Sequence, residues 1–242
     1  MMKNKMMASL LVGSAVVGAS LAPLSAQATT TGDTPVQVEF DGGTLPDGDG
    51  FPNTVRPDPG ATNSNFDLLF IPREFDFGKL SISDDLTQPI PNKTDEGLNG
   101  HTETVGVGDL RGTKEGWHVT AQSNGLKLGS ESLQGSINIA ELRTYTLVYR
   151  EATNSYVLGS ITSNPNDPSS LVSPETPVSE NLAITLGGEA QLIGNAASGK
   201  GQGLWGFSLG GTTLNVTTPM QQIKAGAYTG NITWNLVAGP AI

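Results

Sequence analysis

The chain has 242 residues, of which 13 are basic and 23 acidic, so its formal net charge is −10 at pH 7. A chain this acidic lacks the basic surface that nucleic-acid binding requires. It contains no cysteine, which excludes disulfides, thiolate nucleophiles and cysteine-based zinc sites. Charged residues make up 15% of the chain, with 31 glycines and 15 prolines. Because an average domain has roughly 25% charged residues, a coiled coil or a charged helical bundle is also excluded.

The first 28 residues have the pattern of an export signal. Lys3 and Lys5 precede an apolar stretch from Ala8 to Leu21, and the small-residue sequence Ser-Ala-Gln-Ala ends at Ala28. A basic start, an apolar stretch and an A-x-A site are typical of a cleaved signal peptide. The apolar stretch is shorter than the roughly 20 residues of a membrane-spanning helix. We therefore predict a signal peptide at 1–28, a secreted protein, and no transmembrane segment in the mature chain. Cleavage would remove two lysines and no acid, which changes the net charge from −10 to −12.

The rest of the chain has the features of strands and turns. Period-two alternation and β-branched residues recur between Gly, Pro, Asn and Asp, and no window keeps the apolar stripe of an amphipathic helix. The sequence predicts an all-β fold, a single β-sandwich or barrel-like domain at 65–242, behind an acidic Pro/Gly-rich segment at 29–64. The stretches Gln88–Glu115 and Ser163–Asn181 are interpreted as loops. The candidate strands are Val36–Phe40, Phe66–Ile71, Lys79–Ile82, Trp117–Gln122, Leu126–Leu128, Ser136–Ile139, Tyr145–Tyr149, Tyr156–Thr162, Leu182–Leu186, Gln191–Ile193, Gly206–Leu209, Thr212–Val216 and Tyr228–Val237.

Short catalytic and metal-binding motifs do not occur in the context that their chemistry needs. The sequence around Ser208, G-F-S-L-G, fits the nucleophile elbow, but a strand rather than a helix is predicted after it, and both histidines lie upstream. We interpret it as a glycine-rich turn. The run Asp47-Gly48-Asp49-Gly50 lacks the later ligands of an EF-hand, although a looser calcium site that includes Asp41 stays an alternative. The sequence therefore predicts no enzyme, no cofactor and no metal site.

Two tryptophan motifs carry more information. Trp117-His118-Val119 and Trp234-Asn235-Leu236 each lie in a stretch where apolar and polar residues alternate. On an extended strand Trp117 and Val119 share one face, as do Trp234 and Leu236. One interpretation packs both indoles inside the domain, and the other exposes them as binding platforms for sugar rings or a partner protein. Both interpretations stay open at this stage.

The motifs, their spacing and their surroundings resemble the WxL-domain family of Gram-positive surface proteins. An apolar run ending in Asp76-Phe77-Gly78, the strand from Gly116 to Ala121, and the segment from Tyr228 to Pro240 carry the resemblance. It covers roughly Asn65 to Ile242. Val119 stands where the motif name has leucine, which is a conservative change on a strand.

The resemblance implies a non-enzymatic protein attached non-covalently to the cell wall. It implies peptidoglycan as the ligand, with Trp117, Val119, Trp234 and Leu236 as the motif positions. An alternative is a structural subunit of a surface complex whose domain binds a wall- or membrane-anchored partner protein. Because teichoic acids are anionic, the acidic charge favours neutral glycan, stem-peptide or protein contacts.

Overall fold

The computed structural model describes residues 34–93, 102–163, 178–179 and 182–241. The chain divides into two compact units, Met1–Glu39 and Phe40–Ile242. Residues 34–39, the described part of the first unit, have no regular secondary structure. The strands of the second unit are β1 (Thr54–Val55), β2 (Phe66–Pro72), β3 (Ile90–Pro91), β4 (Thr104–Asp109), β5 (Trp117–Ser123), β6 (Leu126–Leu128), β7 (Glu131–Leu133), β8 (Gly135–Ile139), β9 (Glu141–Arg150), β10 (Ser155–Ser163), β11 (Val178–Ser179), β12 (Leu182–Thr185), β13 (Gln191–Ala196), β14 (Gly203–Gly210), β15 (Thr213–Val216) and β16 (Ile232–Ala238).

The strands form antiparallel sheets, which confirms the all-β fold class. The largest sheet has the order β1-β2-β4-β14-β9-β10. The order of a second, which we call the tryptophan sheet, is β11-β13-β5-β16, and that of a third is β12-β8-β15-β3. Strands β6 and β7 form a separate hairpin. The helical segments in the described residues are two short 3₁₀ turns, at Glu151–Thr153 and Met220–Gln222. Neither is long and apolar enough to cross a membrane.

The main hydrophobic core is shared by the three larger sheets, because each contributes one apolar face to it. Alternation along each strand sends every second side chain inward. The inward residues include Val105, Val107, Leu142, Phe207 and Leu209 from the six-stranded sheet, Trp117, Val119, Ala121, Ile193 and Trp234 from the tryptophan sheet, and Ile137, Ile139, Ile184 and Leu214 from the third sheet.

The six-stranded sheet is also covered on its other face, by a second cluster of Leu45, Leu69, Phe70, Leu147 and Tyr156. Strand β4 is buried along its whole length. Its valines point into the main core, whereas Gly106 and Gly108 lie against the rings and methyl groups of the second cluster. A Cβ at Gly106 would stand 2.6 Å from the Phe70 ring, closer than carbon atoms can approach.

The structure differs from the sequence prediction at four places. Val36–Phe40 and Lys79–Ile82 form no strand, because neither segment pairs with a neighbouring strand in the described part of the chain. The stretch Gln88–Glu115, interpreted as a loop, contains the short strand β3 and the central strand β4. The stretch Ser163–Asn181, also interpreted as a loop, contains the short strand β11 at Val178–Ser179. Residues 164–177 and 180–181 of this stretch lie outside the described residues.

Candidate functional site

The two tryptophan motifs lie on neighbouring strands of the tryptophan sheet. Strand β16 pairs with β5 along its whole length, with Leu236 opposite Val119 and Trp234 opposite Ala121. The pairing sets Ala238 opposite Trp117. Two motifs that are far apart in the sequence are therefore side by side in the fold.

All four motif residues point to the inner face of this sheet. Trp117 and Val119 are fully buried, Trp234 is 9% exposed, and Leu236, near the edge, is half-buried. Trp117 packs edge-to-face against Phe207, with 6.0 Å between ring centroids. For Trp117 and Val119, this burial favours the interpretation as core residues. The part that the four residues take in binding stays a prediction.

The indole of Trp117 is held by a hydrogen bond to a turn between β13 and β14. Its Nε1–H donates to the carbonyl oxygen of Gly201 at 2.9 Å. Gly201 has a φ of +80°, and a Cβ there would stand 2.6 Å from the indole nitrogen of Trp117. Only glycine fits this position, because both the left-handed backbone and the close approach exclude a side chain.

The outer face of the tryptophan sheet is polar and carries no formal charge. The strands β5, β11, β13 and β16 contain no Asp, Glu, Lys or Arg. Pairing sets the outward side chains in rows across the sheet. These side chains are His118, Thr120, Gln122, Leu192, Asn195, Thr233, Asn235 and Val237. In a chain of net charge −10, this neutral surface built from hydroxyl, amide and short apolar groups is distinctive.

Residues after β16 turn across one end of this face. Gly239, with a φ of +85°, turns the chain back over the sheet. The Nδ1–H of His118 donates to the carbonyl oxygen of Gly239 at 2.9 Å, and the backbone N–H of Ala241 donates to Asn195 Oδ1 at 3.0 Å. The face is therefore closed at the His118 end and open at the Gln122 end.

A groove of about 530 Å³ continues the face beyond Gln122 and Thr233. Gln122 Nε2 donates to the carbonyl oxygen of Gly188 at 3.1 Å, which fixes one wall. Asn124 Oδ1 accepts the backbone N–H of Asn231 at 2.7 Å, which fixes another. The remaining lining residues are Ser123, Gly125, Lys127, Ser132, Leu133, Gln134, Leu186 and Gly187. Lys127 is the one charged residue in this lining.

Sequence reasoning missed this groove. The Ser-Asn-Gly turn at 123–125 and the Gly-Gly turn at 187–188 are visible in the sequence only as turn signals. They become neighbours because β13 pairs with β5, a long-range pairing that composition and spacing do not reveal.

The other candidate residues are placed as follows. Ser208 lies within β14, and the chain continues through a turn into another strand, β15. Asp47 forms an ion pair with Arg56. Among the described residues, no group of three acidic or histidine side chains is placed to hold a metal ion.

Comparison with known protein families gives a match. The family described as "WxL domain surface cell wall-binding" matches residues 27–240, nearly the whole chain. The comparison with curated proteins gives no match, and neither does the comparison with solved structures.

Proposed function

Because the chain belongs to the WxL family of cell wall-binding surface domains, and is a protein of the cell surface, we propose that it binds peptidoglycan non-covalently. The proposed binding surface is the outer face of the tryptophan sheet together with the groove beside Gln122. The secreted form in this proposal lacks residues 1–28. The wall in this proposal is that of a Gram-positive cell.

The observation that carries the proposal is the absence of charged residues from the four strands of the tryptophan sheet. The chain as a whole is strongly acidic, so its field repels the anionic polymers of a wall. A neutral face does not add to that repulsion where a ligand approaches. Glycan strands offer hydroxyl and acetamido groups, and the side chains of Thr120, Thr233 and Asn235 are suited to hydrogen-bond them.

The groove supplies a second kind of contact. Peptidoglycan stem peptides carry amide groups and carboxylates. The amide side chains of Gln122 and Gln134 match the former, and the ammonium group of Lys127 matches the latter. A short peptide attached to a glycan strand could therefore lie in the groove while the sugar lies on the face.

The motif tryptophans act indirectly in this proposal. Trp117 and Val119 form the buried underside of the binding sheet, whereas Trp234 and Leu236 support its edge strand. Their task is to keep β5 and β16 in register, which positions the outward side chains. Ligand contact falls to the residues between and beside them.

The test is sedimentation with purified peptidoglycan from which teichoic acid has been removed. The chain offers a matched pair of positions, since Val237 on the proposed face is 44% exposed and Val148 on the six-stranded sheet is 48% exposed. We expect the wild type and Val148→Glu to sediment with the wall material and Val237→Glu to stay in solution. Thermal melting of all three proteins checks that each is folded.

Two results would overturn the proposal. If the wild type stays in solution, peptidoglycan is not the ligand. If Val237→Glu and Val148→Glu sediment equally, binding occurs on another surface. Retention that requires an anchored partner protein, with little retention on the wall alone, would instead support the alternative role as a subunit of a surface complex.

A further inference from the structure

The second cluster covers only part of its face of the six-stranded sheet. Beside Phe51, which packs against this cluster, a pocket of about 230 Å³ opens on the same face. Three paired residues form its floor, because Ser208 on β14 lies opposite Thr104 on β4 and opposite Arg143 on β9. Ser208, the serine of the G-F-S-L-G sequence, therefore lines a concave site.

The walls of this pocket combine apolar and charged groups. Phe51, Tyr145 and Leu158 supply apolar surface, whereas Glu141 and Arg143 supply a carboxylate and a guanidinium group. The remaining lining residues are Thr102, Thr104, Ser208 and Gly210. Apolar side chains with a few polar groups placed among them are typical of sites for small molecules.

The two charged groups of the pocket neutralise each other. Arg143 Nη2 and Glu141 Oε2 are 2.6 Å apart. An anion that approaches Arg143 also meets the carboxylate of Glu141, and a cation that approaches Glu141 also meets the guanidinium of Arg143. The chain's net charge of −10 repels anions further. The pocket therefore favours a neutral ligand.

The hydrogen-bonding groups of the pocket favour hydroxyl groups on that ligand. The carboxylate of Glu141 only accepts hydrogen bonds, and the guanidinium of Arg143 only donates them. A hydroxyl group does both, so two neighbouring hydroxyls on one ring can bond to both side chains. On the floor, the Thr104 hydroxyl donates to the carbonyl oxygen of Thr102 at 3.0 Å, which leaves its lone pairs to accept from a ligand.

The volume of the pocket limits the ligand to about one ring. Sites for drug-sized ligands measure roughly 300–1,000 Å³, which is more than the volume of about 230 Å³ here. A sugar ring has a hydroxylated edge and a face of C–H groups. The edge suits the Arg143–Glu141 pair, and the face suits the apolar surface of Tyr145 and Phe51.

We propose that this pocket binds a single neutral sugar ring, either as a free sugar or at the end of a glycan. Arg143 and Glu141 bond to adjacent hydroxyls, while the aromatic side chains contact the C–H groups of the ring. The pocket lies on the six-stranded sheet, whereas the proposed wall-binding surface belongs to the tryptophan sheet. It is therefore a second site, and it does not rest on the first.

The test is a nuclear magnetic resonance titration of the ¹⁵N-labelled protein with glucose and, separately, with N-acetylglucosamine. We expect the backbone amide signals of Thr104, Arg143 and Ser208 to shift. Arg143→Met should weaken binding by about tenfold or more, because a hydrogen bond to a charged group is lost. Arg150→Met is the matched control, since Arg150 is an exposed arginine on the same strand outside the pocket. Thermal melting checks that both variants are folded.

The tetramer of N-acetylglucosamine distinguishes the two sources of the ring. If the monosaccharides shift the pocket signals, the site takes free sugars. If only the tetramer shifts them, the site takes the end of a chain. Both results support the proposal, provided that Arg143→Met weakens the binding and Arg150→Met does not.

Three results would overturn the proposal. The first is that no sugar shifts the pocket signals. The second is that acetate shifts them and the sugars do not, which would make the pocket an anion site. The third is that Arg143→Met binds the sugars as tightly as the wild type.

Two variants distinguish this proposal from the wall-binding one. Arg143→Met should keep the wild-type retention on peptidoglycan, because one ring fills the pocket and the interior of a long glycan strand does not enter it. Val237→Glu should keep the wild-type shifts of the pocket signals on addition of sugar. Either proposal can therefore fail while the other stands.

Discussion

Trp117 and Trp205 donate their indole N–H groups to one and the same acceptor, the carbonyl oxygen of Gly201, at 2.9 and 2.8 Å. Trp117 lies on the tryptophan sheet and Trp205 on the six-stranded sheet, so one backbone carbonyl ties two sheets together. A carbonyl oxygen has two lone pairs, and both are used here by buried donors. The tryptophan of the first motif, Trp117, therefore helps to hold the tryptophan sheet against the six-stranded sheet.

Replacing Trp117 by Ala should therefore destabilise the protein by about 3–5 kcal/mol, the usual cost of removing a buried tryptophan. Trp234→Ala should cost less, because Trp234 lies on the edge strand and retains some exposure. Urea unfolding followed by circular dichroism measures both changes. A larger loss of unfolding free energy for Trp234→Ala than for Trp117→Ala would contradict the role of Trp117 in holding the two sheets together.

Gly106→Ala should destabilise the protein by overpacking, at about 1–3 kcal/mol. The new methyl group would overlap with the Phe70 ring of the second cluster, so either the ring or β4 would have to shift. Gly60→Ala is the matched control, because the nearest atom to a Cβ there is Asp58 Oδ1 at 3.6 Å. Thermal melting should separate the two variants; equal melting temperatures would mean that the second cluster is loosely packed.

Burial raises the pKa of Tyr156 to about 12, against about 10 for an exposed tyrosine. The folded protein therefore retains this proton at pH values where the unfolded chain has lost it. The resulting stability is fully present below about pH 10 and is lost as the pH rises towards about 12. In Tyr156→Phe this part of the alkaline decline should be absent.

The measurement is the urea midpoint of unfolding. It is taken for the wild type and for Tyr156→Phe, at neutral pH and between about pH 10 and about pH 12. Tyr156→Phe also loses the hydrogen bond that the hydroxyl donates to the carbonyl oxygen of Pro46, so only the change with pH is compared. Tyr228→Phe, outside the second cluster, is the control and should follow the wild type. An identical alkaline decline in all three proteins would exclude Tyr156 as its source.

Arg111 forms a bidentate ion pair with the buried Asp109, with Nε to Oδ1 at 2.9 Å and Nη2 to Oδ2 at 2.8 Å. Hydrogen bonding to Asp109 raises the pKa of Arg111 above its ordinary value. Arg111→Met leaves the Asp109 carboxylate buried and unpaired, which should cost about 3–5 kcal/mol. Arg143→Met, which breaks a more exposed pair with Glu141, should cost about 0–1 kcal/mol.

A double variant distinguishes loss of pairing from loss of packing. In Asp109→Asn/Arg111→Met no buried charge is left unpaired, so part of the lost stability should return. The free energies of unfolding of Asp109→Asn, Arg111→Met and the double variant, measured by chemical unfolding, provide the coupling energy between the two residues. Additive losses would show that Arg111 acts through its packing over the Phe66 ring, 3.7 Å away.

Local sequence patterns predicted the strands that alternate clearly, such as β2, β5 and β16. They failed at β4, whose Gly-Val alternation looks like a flexible loop. Glycine is rare in strands because it provides no side chain to pack, but here Gly106 and Gly108 make room for Phe70 and Leu45 from the other side. Only the tertiary structure shows that a second cluster needs this space.

The opposite error occurred at Val36–Phe40. Its alternation is as regular as that of β16, but a strand exists only where a neighbour supplies hydrogen bonds, and the sequence does not say whether one is present. The candidate site shows the same limit. The motif residues were found from the sequence, whereas the groove depends on which strands pair.

The pairing of β5 with β16 also sets the time at which the tryptophan sheet can be completed. During synthesis β5 is made well before β16. Its pairing with Ile232–Ala238 can therefore form only after that last strand has been made. Pairings between residues so distant in sequence are slow, because a long loop has to close first. Until Ile232–Ala238 is made, β5 keeps one edge whose backbone N–H and C=O groups have no partner from β16. A chain that stops before Ile232 should thus lack the outward side chains of Thr233, Asn235 and Val237, and its tryptophan sheet should end at β5.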